Sequence, residues 1–174
     1  MSEPRDGVTV VVMAYNEAES LVSVVEEIHE TLTGMGRRFE IVVVDDGSAD
    51  ATPAVCESLR NRYAEVRVVR HEINRGLGSV YRTGLSEASQ DLVTFFPADG
   101  QFPASIIRQF AEAIEGHDAV FGMLDTRVGL LGAALNRAER LFYRLLFGRF
   151  PRFQGIVMFR RRILSEVPLR SPGG

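Results

Sequence analysis

The sequence predicts an α/β protein with a mostly parallel sheet flanked by helices. Two observations carry that expectation. Five short apolar runs, Val8–Met13, Ile41–Val44, Val66–Val69, Leu92–Phe96 and Ala119–Phe121, recur along the chain with little polar alternation, the pattern of strands buried on both faces. Between them, apolar residues return every three or four positions, the period of an amphipathic helix. Strand alternating with helix implies a doubly wound sheet with right-handed crossovers. In such sheets ligands sit beyond the carboxyl ends of the strands.

The elements follow in order. Behind the first strand, Ala18, Leu21, Val22, Val25, Ile28 and Leu32 form an apolar stripe, with Glu19, Glu26, Glu27 and Glu30 on the other face. Asn16 with Glu19 three residues on has the form of a capping box, which predicts a helix start at that point. Val55, Cys56, Leu59 and Tyr63 make a second stripe, and Pro53 suits its first helical position. Leu77, Val80, Tyr81, Leu85 and Ala88 make a third. Ile106, Ile107, Phe110, Ala111 and Ile114 make a fourth, behind Pro103. Residues 130–148 read as one further helix. Leu131, Ala134, Leu135, Ala138, Leu141, Phe142, Leu145 and Leu146 form its broad apolar face, and Arg137, Arg140 and Arg144 its flank.

With 174 residues the chain suffices for one domain with a sizeable core. Its 45% hydrophobic and 25% charged residues are those of a globular protein rather than a disordered one. A single cysteine, Cys56, excludes an internal disulfide and a cysteine-rich zinc site; its place on an apolar stripe makes it a core residue. His29, His71 and His117 are scattered and suggest no metal cluster. No apolar run approaches the roughly 18 residues of a membrane span, and the polar Met1–Asp6 segment does not read as a signal peptide.

The net charge of −3 hides an asymmetry. Residues 1–125 carry 10 arginines against 21 carboxylates, and residues 126–174 carry 10 arginines against two. The expected organisation is therefore one domain in two parts, a ligand-binding α/β half over 1–125 and a basic segment over 126–174 that meets an anionic partner. A solvated basic face is the plainer alternative. Nucleic acid is not expected, because neither an aromatic stacking pattern nor a helix-turn-helix signature is present.

Four strand ends carry polar, acidic or glycine-rich loops: Ala14-Tyr15-Asn16-Glu17, then Asp45-Asp46-Gly47-Ser48-Ala49-Asp50, then Asn74-Arg75-Gly76-Leu77-Gly78, then Pro97-Ala98-Asp99-Gly100-Gln101. Each has a structural reading of its own. Asn16 can cap a helix, Asp45 and Asp46 can form an Asx-turn with Gly47, and the glycines can serve positive φ angles. Together they place three acidic loops on one sheet edge, a self-repelling arrangement that a bound ligand or metal would rationalise. Asp45 or Asp46 can accept from nucleobase N–H groups or ribose hydroxyls. The N–H groups of Gly76 and Gly78 beside a helix start suit a phosphate. Asp99 can hold Mg²⁺ or Mn²⁺ where diphosphate oxygens complete the shell. A GxGxxG dinucleotide site fits less well, since Gly76, Gly78 and Gly84 do not directly follow a strand and the first strand–helix loop has no glycine.

On these four loops, and on Leu146-Phe147-Gly148 and Gly155–Arg161, the chain resembles family 2 glycosyltransferases of the GT-A fold, in particular the dolichol- and polyprenyl-phosphate sugar synthases. The resemblance covers nearly the whole chain. It implies a nucleotide-diphosphate sugar donor, a divalent cation and inversion at the transferred sugar. By that resemblance Ala14, Tyr15, Asn16, Glu17, Asp45, Asp46, Gly47, Ser48, Asn74, Gly76, Gly78 and Ala98 line the donor site. Asp99 matches the second aspartate of the Asp-x-Asp motif and touches metal and diphosphate, and Gln101 lies near the sugar. Two departures stand out: Pro97 replaces the first aspartate of that motif, and Ala14 the usual proline of the first loop. Near Pro151–Gln154, many relatives have an acidic residue and this chain has none. The chain also ends before the C-terminal membrane helices that many such enzymes carry. A polyprenyl phosphate acceptor implies work at the cytoplasmic face of a membrane; a family 2 transferase with a non-lipid acceptor, or a catalytically impaired binding or assembly module on the same fold, is the alternative. Residues 130–148 suit that interface, and Arg127, Arg137 and Arg140 are candidates for the acceptor phosphate. An acceptor phosphate is already ionised at neutral pH, so its attack requires positioning and charge screening rather than a general base.

Overall fold

The computed structural model describes residues 6–122 and 155–165. Their order is β1 (Val8–Ala14), α1 (Leu21–Thr33), β2 (Phe39–Asp45), α2 (Thr52–Arg62), β3 (Val66–Arg70), α3 (Leu77–Glu87), β4 (Leu92–Pro97), α4 (Ser105–Ala113), β5 (Ala119–Phe121) and β6 (Val157–Arg160), followed by a 3₁₀ turn over Arg161–Ser165. The chain divides into two compact units, Met1–Val120 with Val157–Gly174, and Phe121–Ile156. In the second unit the Gly122 N–H donates to the Ile156 carbonyl at 2.9 Å.

The strands form one sheet in the order β3-β2-β1-β4-β6-β5. β1 pairs in parallel with β2 and with β4, and β2 with β3; β6 runs antiparallel to β4. The five apolar runs are all strands. β6 is the strand that periodicity missed, because Val157–Arg160 is short and is half-buried except at Met158. The central strands are buried almost throughout, as their unbroken Val and Ile runs require. β3 departs from that expectation. It is an edge strand, only Val66 is fully buried, and Arg67 and Arg70 lie exposed along it, charges of the kind that keep an open edge from pairing with another chain.

Two helix expectations are corrected. α1 starts at Leu21, not at Asn16, and its N-cap Ser20 makes no side-chain capping bond; the Asn16 side chain bonds to the neighbouring loop instead, so Asn16 and Glu19 form no capping box. Leu77 is not part of the buried stripe of α3. It is 58% exposed, and Val80 and Gly84 form the buried contact. A Cβ at Gly84 would lie 2.5 Å from Val11 Cγ1 and 2.8 Å from Phe95 Cε1, so this glycine sets how closely α3 approaches the sheet. The predicted helix over 130–148 lies outside the described residues. Among the described residues no helix is long and apolar enough to cross a membrane.

Candidate functional site

The register explains why the loops converge. Ala14 pairs with Asp45, Asp45 with Arg70, and Met13 with Pro97. β1 to β4 therefore end level, and four loops leave the sheet at one edge. Three hydrogen bonds extend the ladders by one residue: Asp46 N–H to the Ala14 carbonyl (2.9 Å), His71 N–H to the Asp45 carbonyl (2.9 Å) and Ala98 N–H to the Met13 carbonyl (3.0 Å). In sequence order the sheet grows from β1 to β2 to β3, then returns to place β4 on the other side of β1. The switch point, where a crevice opens above an α/β sheet, thus lies between β1 and β4. The Tyr15–Glu17 and Pro97–Gln101 loops flank it.

The β1–α1 loop is stitched to the β2–α2 loop. Asn16 adopts φ 56°, a left-handed conformation that asparagine tolerates better than most residues. Its N–H donates to Ser48 Oγ at 2.9 Å, and its Oδ1 accepts from the Ala49 N–H at 2.9 Å. The Glu17 N–H donates to Thr52 Oγ1 at 2.8 Å, and Glu17 Oε2 accepts from the Ser20 hydroxyl at 2.6 Å. Asp50 accepts from the Thr52 and Ala18 N–H groups, and the Thr52 bonds are the leading reason its carboxyl lies below the usual carboxylate range. Tyr15 stands 48% exposed at the tip.

The two adjacent aspartates have different partners. Asp45 is fully buried. Its Oδ1 accepts from the Ser48 N–H at 3.0 Å, three residues on, rather than from Gly47 as the expected Asx-turn would require. Its Oδ2 accepts no hydrogen bond and sits 3.3 Å from Arg70 Nε, within ion-pair distance. Asp46 is also buried, and both its oxygens are engaged. Oδ1 accepts from His71 Nδ1 at 2.6 Å and from the Arg75 N–H at 3.0 Å, and Oδ2 from the Gly76 N–H at 2.8 Å. Burial pushes the Asp46 carboxyl up, but the His71 bond and the two backbone donors outweigh it and hold the group below the usual range. Gly47, at φ 72°, brings this turn against the backbone of Ile73 and Asn74.

In the β3–α3 loop the Gly76 N–H is directed inward, to Asp46 Oδ2 and to Asn74 Oδ1 at 3.0 Å, not outward as a phosphate donor. Gly78 lies in the first turn of α3 with open space where a Cβ would project. Gly76 alone of the two has positive φ, 78°.

The β4–α4 loop is separate. No hydrogen bond joins Asp99 or Gln101 to the other three loops among the described residues. Asp99 is exposed. One oxygen, Oδ1, accepts from the Gln101 N–H at 3.0 Å, and Gly100 follows at φ 72°. The loop is braced through the Ala104 N–H, which donates to Glu27 Oε1 on α1 at 2.9 Å. Pro97 is tolerated here for a clear reason. β6 pairs with β4 only over Leu92–Thr94, and it is the Ala98 N–H that bonds β1, so the missing N–H of Pro97 breaks no ladder.

Among the described residues no group of three His, Cys, Asp or Glu side chains converges to hold a metal ion. Asp99, with Oδ2 uncommitted, suits a hard cation that takes its remaining ligands from phosphate oxygens. Cys56 is buried and its thiol is pushed up to about 12, first by burial and then by Asp45, which fits a core residue and not a nucleophile. Arg127, Arg137 and Arg140 lie outside the described residues. His71 and Thr83 were not singled out from sequence. His71 follows the last paired residue of β3 as Asp46 follows that of β2, a signal that is visible only once the register is known.

Residues 9–167 match the protein family described as "Glycosyl transferase family 2". The chain is 38% identical over 162 residues to the dolichol-phosphate mannosyltransferase of Pyrococcus furiosus, covering 92% of this chain and 42% of that protein. It is 35% identical over 127 residues to the undecaprenyl-phosphate 4-deoxy-4-formamido-L-arabinose transferase of Pseudomonas paraeruginosa, covering 71% and 37%. Among solved structures, the mannosyltransferase PcManGT from Pyrobaculum calidifontis in complex with GDP-Man and Mn²⁺ superposes with a TM-score of 0.70 at 24% identity, over 93% of this chain and 46% of that one. The chain thus spans less than half the length of these relatives.

Proposed function

Because this chain belongs to glycosyl transferase family 2 and has the GT-A fold, we propose that it forms the donor-binding part of an inverting glycosyltransferase that moves a sugar from a nucleotide diphosphate to a polyprenyl phosphate. The observation that carries this reading is the switch point between β1 and β4, with the stitched Tyr15–Glu17 loop following one strand and the exposed Asp99 following the other. Tyr15, Asn16, Glu17 and the Asp45–Ser48 turn form the nucleoside side. Asn74, Gly76 and Gly78 border the diphosphate, and Ala98, Asp99 and Gln101 the sugar side. A divalent cation, Mg²⁺ or Mn²⁺, held by Asp99 would supply positive charge against the departing nucleotide.

The acceptor follows from the names of the two relatives, both of which act on polyprenyl phosphates. A phosphate oxygen is anionic at neutral pH and attacks the anomeric carbon while the nucleotide diphosphate leaves. The protein holds both anions in line, and no side chain need remove a proton. Arg127, Arg137 and Arg140 would meet the acceptor phosphate. Residues 130–148 would meet the membrane at its cytoplasmic face.

Calorimetric titration with GDP, UDP and their sugars, with and without Mn²⁺, tests this. The expected result is Mn²⁺-dependent binding of one nucleotide, lost in Asp99→Ala while the fold persists. If well-folded protein binds neither nucleotide, the proposal fails.

A further inference from the structure

The Glu72–Gly76 loop forms no helix or strand, and its residues are exposed up to the half-buried Gly76. One buried carboxylate holds two of its amides. Asp46 accepts three hydrogen bonds, from His71 Nδ1, from the Arg75 N–H and from the Gly76 N–H. His71 is itself buried, 6% exposed, and spans two elements: Nδ1 is 2.6 Å from Asp46 Oδ1, and Nε2 is 2.8 Å from Thr83 Oγ1 on α3. The Asp46 carboxylate can only accept, so Nδ1 carries a proton and donates it. The Thr83 hydroxyl can donate or accept, so it satisfies Nε2 with or without a proton.

We propose that His71 is a positioning residue for the donor pocket: its Nδ1–H fixes the rotamer of Asp46 in which the carboxylate grips the Arg75 and Gly76 N–H groups and holds the β3–α3 loop at the crevice. Without that donor, an Asp46 oxygen would lie buried with one partner fewer, and the carboxylate would be free to turn towards water and release the two amides. Gly47 lies directly against Ile73 and Asn74, so release would also move Asn74 from the β2–α2 turn. The consequence for donor binding rests on the reading above, in which Asn74, Gly76 and Gly78 border the diphosphate. The order of the loop in the free protein does not.

Two substitutions separate positioning from packing. In His71→Asn the side-chain amide nitrogen can take the place of Nδ1 and still donate to Asp46. In His71→Gln it takes the place of Nε2, reaches Thr83 and leaves Asp46 without its donor. Both shrink the side chain, so a purely packing role predicts similar losses for the two. Amide exchange at Arg75 and Gly76 in the free protein is read beside calorimetry with GDP and UDP in Mn²⁺. We expect His71→Asn to keep both amides protected, with nucleotide affinity within about threefold of the parent. His71→Gln should expose both amides and weaken binding about ten- to a hundredfold, the loss of a hydrogen bond to a charged group. Equal behaviour of the two variants in exchange overturns the proposal. If the parent binds neither nucleotide, the functional reading falls, while the exchange comparison still decides the role of His71. If neither variant folds, the unaltered protein decides it: nitrogen shifts of the His71 ring must show a protonated Nδ1, and a ring protonated only at Nε2 overturns the proposal.

Discussion

Replacing Gly47 with alanine should damage both stability and the candidate site, and the structure gives the size of the effect. Gly47 has φ 72°, where an L-residue costs about 1–2 kcal/mol. The added Cβ would also meet the backbone of the next loop, at 2.4 Å from Ile73 C, 2.5 Å from Asn74 N and 2.8 Å from Ile73 Cα. Those are backbone atoms and cannot turn aside as a side-chain end could. Overpacking of that kind adds about 1–3 kcal/mol, for a total of about 2–5 kcal/mol. In a domain of this size that lowers Tm by roughly 4–20 °C, at about 2–4 °C per kcal/mol. Gly116 supplies the control. Its φ is 75°, and nothing lies within 4 Å of its would-be Cβ, so Gly116→Ala should show the conformational cost alone. Urea unfolding of the two variants measures the difference as the clash between the β2–α2 and β3–α3 loops. Gly47→Ala should also expose the Arg75 and Gly76 amides, because the loop gripped by Asp46 must retreat. If Gly47→Ala loses no more stability than Gly116→Ala, the two loops are not in contact and the described site is wrong.

Further expectations concern other parts of the molecule. Gly84→Ala should cost about 1–3 kcal/mol in urea unfolding, since its Cβ would press on Val11 and Phe95 side chains; an unchanged midpoint would show that α3 can shift freely. The Glu40 carboxyl is raised by burial, but bonds from Thr9 and Ser89 and the charge of Arg67 bring it below the usual range. Asp46 is depressed likewise. A depressed carboxyl contributes stability that is fully present above its unfolded pKa, about 4, and is lost as pH falls through its lower folded value. Acid titration of Glu40→Gln and Asp46→Asn should therefore show a shallower fall in stability below about pH 4 than the parent; parallel curves would refute that assignment. Cys56, buried with its thiol near 12, should resist thiol reagents at pH 7 in the folded protein and react on unfolding. Pro97→Asp should raise the affinity of nucleotide for Mn²⁺-loaded protein, by adding a second carboxylate beside Asp99 with no ladder bond to lose; unchanged Mn²⁺ dependence would show that position 97 does not face the cation.

The parallel sheet was legible because its strands are unbroken Val, Ile and Phe runs, and buried strands leave few other ways to write a sequence. The edge strand β3 blurred that signal, and β6 escaped it because it is short and half-buried except at Met158. The four loops of the candidate site were visible as polar breaks after each strand, and the switch point follows once strand order is known. What the sequence did not disclose is the division of labour inside the loops. Asn16 looked like a helix cap, and its side chain serves the neighbouring loop. Gly76 looked like a phosphate donor, and its N–H serves Asp46. Both assignments depend on contacts about thirty residues apart in the chain, Asn16 to Ala49 and Gly76 to Asp46, which periodicity cannot reach. In the sequence His71 is one of three scattered histidines, yet in the structure it is the buried partner of Asp46.

The acidic edge needs a different account from mutual repulsion seeking a metal. Asp45 and Asp46, adjacent in sequence and both buried, place their charges on separate partners: Asp45 on the Ser48 N–H and the Arg70 guanidinium, Asp46 on His71 and two backbone donors. Buried carboxylates so placed organise the backbone around them through the protein's own groups. Glu17 is occupied by the Ser20 hydroxyl and Asp50 by Thr52 and Ala18. Of the acidic groups in the Ala14–Glu17, Asp45–Asp50 and Pro97–Gln101 segments, Asp99 is thus the one that is exposed and has an oxygen with no hydrogen bond among the described residues. Removing Asp99 should consequently leave the fold nearly unchanged while abolishing Mn²⁺-dependent nucleotide binding, whereas removing Asp46 should loosen the β3–α3 loop before any ligand is added. Urea unfolding and amide exchange on Asp99→Ala and Asp46→Ala, both without nucleotide, separate the two roles. Equal destabilisation by the two variants would show that the acidic edge works as a single charged cluster, and that the division between organising and presenting carboxylates is mistaken.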